Sequence, residues 1–534
     1  MITPRQGTST TILFTGAVWA ALAPGAFAGS TPTFTKDVAP IFFQRCVECH
    51  RPGEIAPMSL LGYDEARPWA KSIAQKVAAR DMPPWKADPA HGKFSNDAHL
   101  TDKEIETIVS WANAGAPRGQ DADMPAAPVF SEGWRLGEPD YIVDLDAIDV
   151  PAEGPDFFPN IDVTLDLPED RWVRAVEIRP GNRQVLHHLV SFLGTGGSSP
   201  TAIPDFLAVW AVGTPPAVYP EGTGRKVSKN ANLRMNMHYH TNGTATTDKS
   251  RVGFYFADVE PKKAINGQFA GSVNFRVPAN EDDYRVDARY LVDEDIKVIS
   301  FFPHMHTRGK SMKYTATFPG GKQEVLLHVP EYDFNWQWFY YPEVPVTLPE
   351  GTILDIEAHY DNSSGNPNNP DPSKDVVFGE DTHSEMMFGA FEFIPVEGVN
   401  PKPVDIAKKL DKVLATYDAD SVFKVDADLG RLKLLSGFRL PKEGDGTWYF
   451  PFGRQLFEIP ISNIQWNEGA FHGDVTLLGR GGITIDGTVS PDGSIQGTFD
   501  MGDFDASDIG GGAIQPKGFS GSKLAKAELN ASSD

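Results

Sequence analysis

Both cysteines of this 534-residue chain fall inside one pentapeptide, Cys46-Val-Glu-Cys49-His50. No second pair remains to staple any other part of the chain, so every domain beyond this motif must be held by packing alone. The C-x-x-C-H pattern is that of covalent c-type haem attachment. It sets two thiols a helical turn apart for the vinyl groups, and a histidine beside them for the iron. A redox C-x-x-C or half of a zinc site are the competing readings. The adjacent His50 and the lack of further cysteines weigh against both.

The flanking residues read as helices. Asp64 to Ala79 carries Trp69, Ile73 and Val77 at helical spacing. Thr101-Asp-Lys-Glu104 is a capping box opening a helix with Ile105, Ile108, Val109 and Trp111, closed by Gly115. A small all-α cytochrome c domain carrying one covalently bound haem c is therefore expected over residues 30–120. An electron carrier needs a sixth iron ligand. Met82, in Asp81-Met-Pro-Pro-Trp85, is the expected one, its prolines stiffening the loop; Met58 is the alternative.

Residues 1–28 read as a signal peptide: Arg5, an apolar core from Thr11 to Ala23, then Ala26-Phe27-Ala28 as a small-x-small cleavage pattern. The core is too short to span a bilayer and no later run is long enough, so no stable membrane span is expected. A periplasmic or secreted protein follows. The net charge of −24 argues against nucleic acid and anionic lipid as partners.

Residues 121–133 read as a linker rich in Pro, Ala, Asp and Gly. Beyond it, short strand-like runs are broken by turn clusters, the pattern of sandwiches. An ordered internal echo divides them. Val150-Pro-Ala152 precedes one histidine cluster and Val277-Pro-Ala279 another, and Leu233 to Tyr239 is matched by Leu354 to Tyr360. Two related β domains are expected, 134–270 and 271–398. Residues 402–534 read as a β-rich accessory domain with a flexible tail; a short helix from Val404 to Ala415 opens it, and Ser490-Pro-Asp-Gly493 marks a turn. The fold class expected is thus mainly β and multidomain.

The histidines carry the chemistry. Thirteen in this length predict roughly 0.3 pairs at any one spacing. The chain has His187-His188 and two His-x-His pairs, His238/His240 and His304/His306. Residues i and i+2 of a strand face the same way, so each His-x-His presents two imidazoles together. Adjacent residues face opposite ways, so His187 and His188 need a twist, a bulge or a strand end to serve one metal. Histidines alone do not name that metal. Met386, in His383-Ser-Glu-Met386-Met387, adds a thioether, which favours copper. Met387 replaces it only if the strand faces the other way. The aromatic run Glu331 to Tyr341 reads as a strand packed on both faces rather than as a substrate cleft. His91, His99, His328 and His472 read as solvent or structural residues, and His359 as a non-ligand.

As an ordered set these motifs resemble the copper type II, ascorbate-dependent monooxygenases, the family of peptidylglycine α-hydroxylating monooxygenase and dopamine β-monooxygenase. His187-His188 resembles the family's adjacent pair, Met237-His238-Tyr239-His240 its third-histidine motif, His304-Met305-His306-Thr307 its His-x-His, and Glu385-Met386 its methionine ligand. The likeness spans residues 131–398, and the haem region looks like the cytochrome module fused to bacterial relatives.

The resemblance implies two jelly-roll-like β-sandwich copper domains facing a solvent-filled cleft. It implies copper held by His187, His188 and His238, and a second copper, activating O₂, held by His304, His306 and Met386. The implied reaction hydroxylates a C–H bond of a small organic substrate. Electrons come from an ascorbate-like reductant or a redox protein and enter through the haem. His240 would stand behind the ligands. The amidating members hold a substrate carboxylate through an arginine and a tyrosine at the positions of Phe302 and Ala390, so a peptide C-terminus is not the expected substrate. The alternative class is a non-catalytic haem/copper electron carrier or copper-binding protein. Peroxidase-type haem chemistry is disfavoured by the single haem motif.

Overall fold

The fold is described from a computed structural model, which covers residues 31–524 other than 53, 55, 131–132, 195–204, 212–213, 380, 431–432 and 503–513. The signal-peptide segment and the tail from 525 lie outside the described residues. The protein is mainly β, built of several sheets, with a small helical N-terminal region. No helix among the described residues is long and apolar enough to cross a membrane.

The helical region packs Phe34, Phe42, Ile73, Val77, Ile108 and Trp111 into one core. Thr101 and Glu104 cap each other's backbone at the start of the helix Asp102–Asn113. The stretch expected as one helix from Asp64 is instead broken. Tyr63–Ala66 gives way to a 3-10 turn, Arg67–Trp69, before Ala70–Ala78 resumes. Pro68 sits in that turn and has no N–H to donate to a continuous helix. Trp69 is left 40% exposed rather than buried with Ile73 and Val77.

Two pairs of facing sheets follow. In the first pair, Asn160–Thr164, Asn232–Tyr239, Leu186–Gly194 and Asp205–Ala211 form a four-stranded sheet. Its apolar face meets the sheet built on Arg171–Arg179 and Arg251–Phe256, with Leu189, Leu193, Leu233, Met235, Val176 and Phe254 between them. The chain crosses to the second pair at Ile265. Asn266–Ser272 already pairs with Met387–Pro395, which also pairs with Ile296–His304. The opposing sheet orders Tyr284–Leu291, Ile353–Tyr360, Gly309–Thr317 and, at its edge, Gln323–Val329.

The two pairs are locked together by a buried ion pair. Arg225 donates to Glu392 at 2.8 Å, and Glu392 also accepts from the Ser300 hydroxyl. Beside it, a register irregularity between Val298 and Ser300 turns Ile299 into the first core.

The C-terminal region is a closed antiparallel barrel of eight strands, Val422–Gly430 pairing with both Lys433–Arg439 and Ile514–Lys523. Closure leaves no free sheet edge. Phe438, Trp448, Phe471, Phe499 and Phe519 fill its interior. The helix Ile406–Leu414, capped by Asp405, seals it with Leu410 and Leu414.

Candidate metal centre

Strand pairing explains how the twin histidines come to share one side. Leu186 lies opposite Tyr239 and His188 opposite His238, so three residues on one strand face two on the other. His187 is the extra residue of a bulge, which turns consecutive side chains to the same side. His188 and His238 are direct cross-strand partners, 6% and 2% exposed.

The three imidazoles converge. His188 Nδ1 lies 3.2 Å from His187 Nδ1 and 3.4 Å from His238 Nδ1. Three nitrogens bound to one ion at about 2.0–2.1 Å in tetrahedral geometry are spaced by about 3.3 Å. Outer partners set the tautomers. His238 Nε2 donates to the Asp156 carboxylate at 2.7 Å, and His187 Nε2 donates to Asn335 Oδ1 at 3.1 Å. A carboxylate or amide oxygen only accepts, so each proton sits on Nε2 and each Nδ1 lone pair faces the centre. Burial pushes His187 down to about 4. Burial, then His238, His187, His304 and His306, hold His188 well below the usual imidazole range. His187 and His188 are thus held neutral, the form a metal would require.

Asp156 also accepts from His240 at 2.9 Å. Burial raises its carboxyl, but the two histidine hydrogen bonds outweigh that and leave it below the ordinary range. Asp156→Ala frees the Nε2 of the buried His238. It is expected to weaken metal binding at this cluster by about 10–100-fold. A chelator-competition titration measures this; unchanged affinity would mean that packing alone orients His238.

His304 and His306 form a second cluster at the end of the strand Ile296–His304, their rings T-shaped at 5.4 Å. Met305 between them points into the opposite core. His304 Nδ1 donates to Gln337 Oε1 at 2.7 Å and His306 Nδ1 to the Ser384 carbonyl at 3.0 Å, which leaves both Nε2 lone pairs open. Burial lowers both, His306 to about 3 with His304 adding to the effect.

Met386 immediately precedes the strand Met387–Pro395. Met387 is fully buried in the core, so alternation turns Met386 toward the side of Phe388, whose ring stacks on His304 at 6.4 Å. Glu385, wholly buried, accepts from the backbone N–H groups of His306 and Arg308 and so shapes the His-x-His turn. Tyr332 clamps the same turn, donating to the Met305 carbonyl. A Cβ on Gly309 would meet the Tyr332 ring at 2.7 Å, so only glycine lets the chain pass.

The aromatic run is not the strand expected from its composition. It is an irregular loop with a single bridge at Tyr340, and its side chains separate. Trp338 and Tyr340 join the second core, while Trp336 packs on the first. Phe334 lies between the two histidine clusters, its ring 5.8 Å from His188 and His238, 6.0 Å from His187 and 5.9 Å from His306. Asn335 and Gln337 brace one cluster each. A phenyl ring therefore stands where the family likeness implied open solvent. Asp156, Asn335 and Gln337 carry no sequence signal, being single polar residues in loops without a period, and Phe334 stands out only as one of the aromatic run.

His359 lies in the sheet opposite the His304 strand, bonded to Asp283, apart from either cluster. The echo that aligned it with His238 extends to sheet position, since Asn232–Tyr239 and Ile353–Tyr360 are each the second strand of a four-stranded sheet, but His359 joins no cluster.

At the N-terminal motif, His50 Nδ1 donates to the Met58 carbonyl at 3.3 Å, leaving Nε2 open. Burial, the leading cause, pushes the Cys46 thiol up to about 12 and the Cys49 thiol up to about 11. Met58 packs with Cys46 in the helical core. Met82 is half-buried, in the segment that leads away from that core toward Trp85. A narrow cleft opens beside Cys49, between the helical region and the first sheet pair, lined by Glu48, Glu54, Arg135, Glu177, Arg183 and Trp210.

No protein-family model matches the chain, and no curated protein matches it.

Proposed function

We propose that this chain is an exported haem- and copper-dependent monooxygenase that hydroxylates a C–H bond of a small organic substrate with O₂. The observation that carries the reading is the convergence of three Nδ1 atoms at 3.2 and 3.4 Å, with a second histidine pair across one phenyl ring. The donor sets fit copper in both places: three imidazoles in one, two imidazoles and the Met386 thioether in the other. His187, His188 and His238 would hold the first ion, and His304, His306 and Met386 the second. Cys46, Cys49 and His50 fit a c-type haem, with Met82 or Met58 completing the iron.

Bound copper supplies one-electron redox chemistry and O₂ activation, and the haem an entry point for electrons from an ascorbate-like reductant or redox protein. The residues present do the rest. Asp156, Asn335 and Gln337 fix the imidazole orientations. Burial keeps His187, His188, His304 and His306 unprotonated, and Phe334 excludes water between the clusters. The facing sheets are read as jelly-roll-like sandwiches, and the helical region as a cytochrome c domain.

Metal analysis of the reconstituted full chain is expected to give two coppers and one haem iron. Met386→Ala is expected to weaken the second centre by at least the roughly 10–100-fold that outer partners alone are worth, and to abolish reductant-driven O₂ uptake. Retained copper without O₂ uptake in the unaltered protein would leave an electron carrier. Zinc at both clusters would end the reading.

A further inference from the structure

After Ala78 the chain leaves the helical region and lays residues 84–96 along the edge strand Gln323–Val329 and the aromatic loop. Trp85 packs edge-on against Trp338 and Tyr340, Asn96 exchanges hydrogen bonds with the backbone of Phe339 and Tyr341, and Phe94 bridges Pro342. Two features pin this segment at one point. The Asp88 N–H donates to the His328 carbonyl at 2.8 Å. Gly92, at φ +76°, sits so close that a Cβ there would meet the Leu326 carbonyl at 2.7 Å. The pinned turn brings Asp88 and His91 to His328, with one ligand atom of each inside 4.8 Å of the others.

We propose that Asp88, His91 and His328 form a third metal site, a zinc clip that fastens this segment to the second sheet pair. Asp88 Oδ2 is the shared focus, 3.4 Å from His328 Nδ1 and 4.0 Å from His91 Nε2. The longer separation exceeds a hydrogen bond. A zinc ion bound at about 2.0–2.2 Å to each atom sets them about 3.4 Å apart, which the Asp88–His328 pair already meets and which His91 must move inward to reach. His91 is on a loop and 36% exposed, so it is free to make that movement. Asp88 is held for the task, its other oxygen accepting the Ala90 N–H at 2.9 Å.

Two imidazoles and a carboxylate suit zinc, with water in the fourth position reached through the exposed side. The neighbouring cations do not oppose it: Lys313 pairs with Glu357 and Lys86 with Glu331. The site lies apart from both histidine clusters and does not depend on their metal. Its effect is mechanical. It secures Trp85 behind the loop that carries Phe334, Asn335 and Gln337.

The test is zinc titration of the full chain, with His91→Ala, Asp88→Asn and, as a control, His187→Ala. The unaltered protein is expected to bind one more zinc equivalent than His91→Ala, and Asp88→Asn to weaken that equivalent at least tenfold. His187→Ala is expected to keep it. Cobalt in place of zinc should give a visible band that His91→Ala removes and His187→Ala retains. Equal zinc stoichiometry and affinity in the unaltered protein and His91→Ala overturns the proposal. So does loss of the same equivalent in His187→Ala.

Discussion

Glu385→Ala is expected to destabilise the protein by about 3–5 kcal/mol, because it strands a buried arginine. Arg308 is 2% exposed, and Glu385 lies 3.9 Å from its guanidinium and is wholly buried. The hydrogen-bond partners that remain to Arg308, the Asn362 side chain and the His383 carbonyl, are neutral, and Asp371 and Asp381 act on it only as further charges. Removing the carboxylate also orphans the N–H groups of His306 and Arg308, and each unsatisfied buried donor costs about 1–3 kcal/mol. Burial already pushes Glu385 up to about 7, so the group is retained against a large desolvation cost. Urea denaturation measures the loss. Glu385→Gln, which keeps an acceptor for the backbone, should fall between the two. An alanine variant within about 1 kcal/mol of the parent would mean that the His-x-His turn is held by the sheet alone.

Phe334→Ala is expected to cost about 3–5 kcal/mol and to open both histidine clusters to water at once. The ring is 8% exposed and touches histidines of both. Metal bound at either cluster should then be stripped by a chelator on the order of tenfold faster, since the apolar shell controls solvent access. Phe334→Leu, which keeps most of the volume, should restore much of the protection. Faster stripping at one cluster only would show that the ring shields that cluster alone.

The parts of this molecule legible in sequence are those written as local period or spacing. The capping box Thr101/Glu104, the strand alternation that puts Met305 and Met387 in the core, and the paired histidines all have short-range signatures. What was hidden depends on chain crossings. Nothing in the Trp85 segment announces that it leaves the helices to lie on a distant strand. The aromatic run has strand composition, but it packs into several different environments and so cannot keep one period. Asp156 and Gln337 become site residues only through pairings that join segments far apart in the chain. Pro68 marks the helix break in the sequence itself, although the apolar spacing of Trp69, Ile73 and Val77 runs straight through it.

The bulge at His187 makes the twin-histidine motif a matter of length as well as of kind. Opposite Tyr239 and His238 the partner strand runs through three residues, Leu186 to His188. A chain one residue shorter there would pair without interruption and still set His188 against His238. The sheet has no need of the additional residue, whose effect is to set a third imidazole beside His188 and His238. A comparison of chains built on this sheet should therefore look first for a gap at this position. An insertion or deletion there would separate proteins that bind through three imidazoles from those that bind through two, even where every remaining side chain agreed.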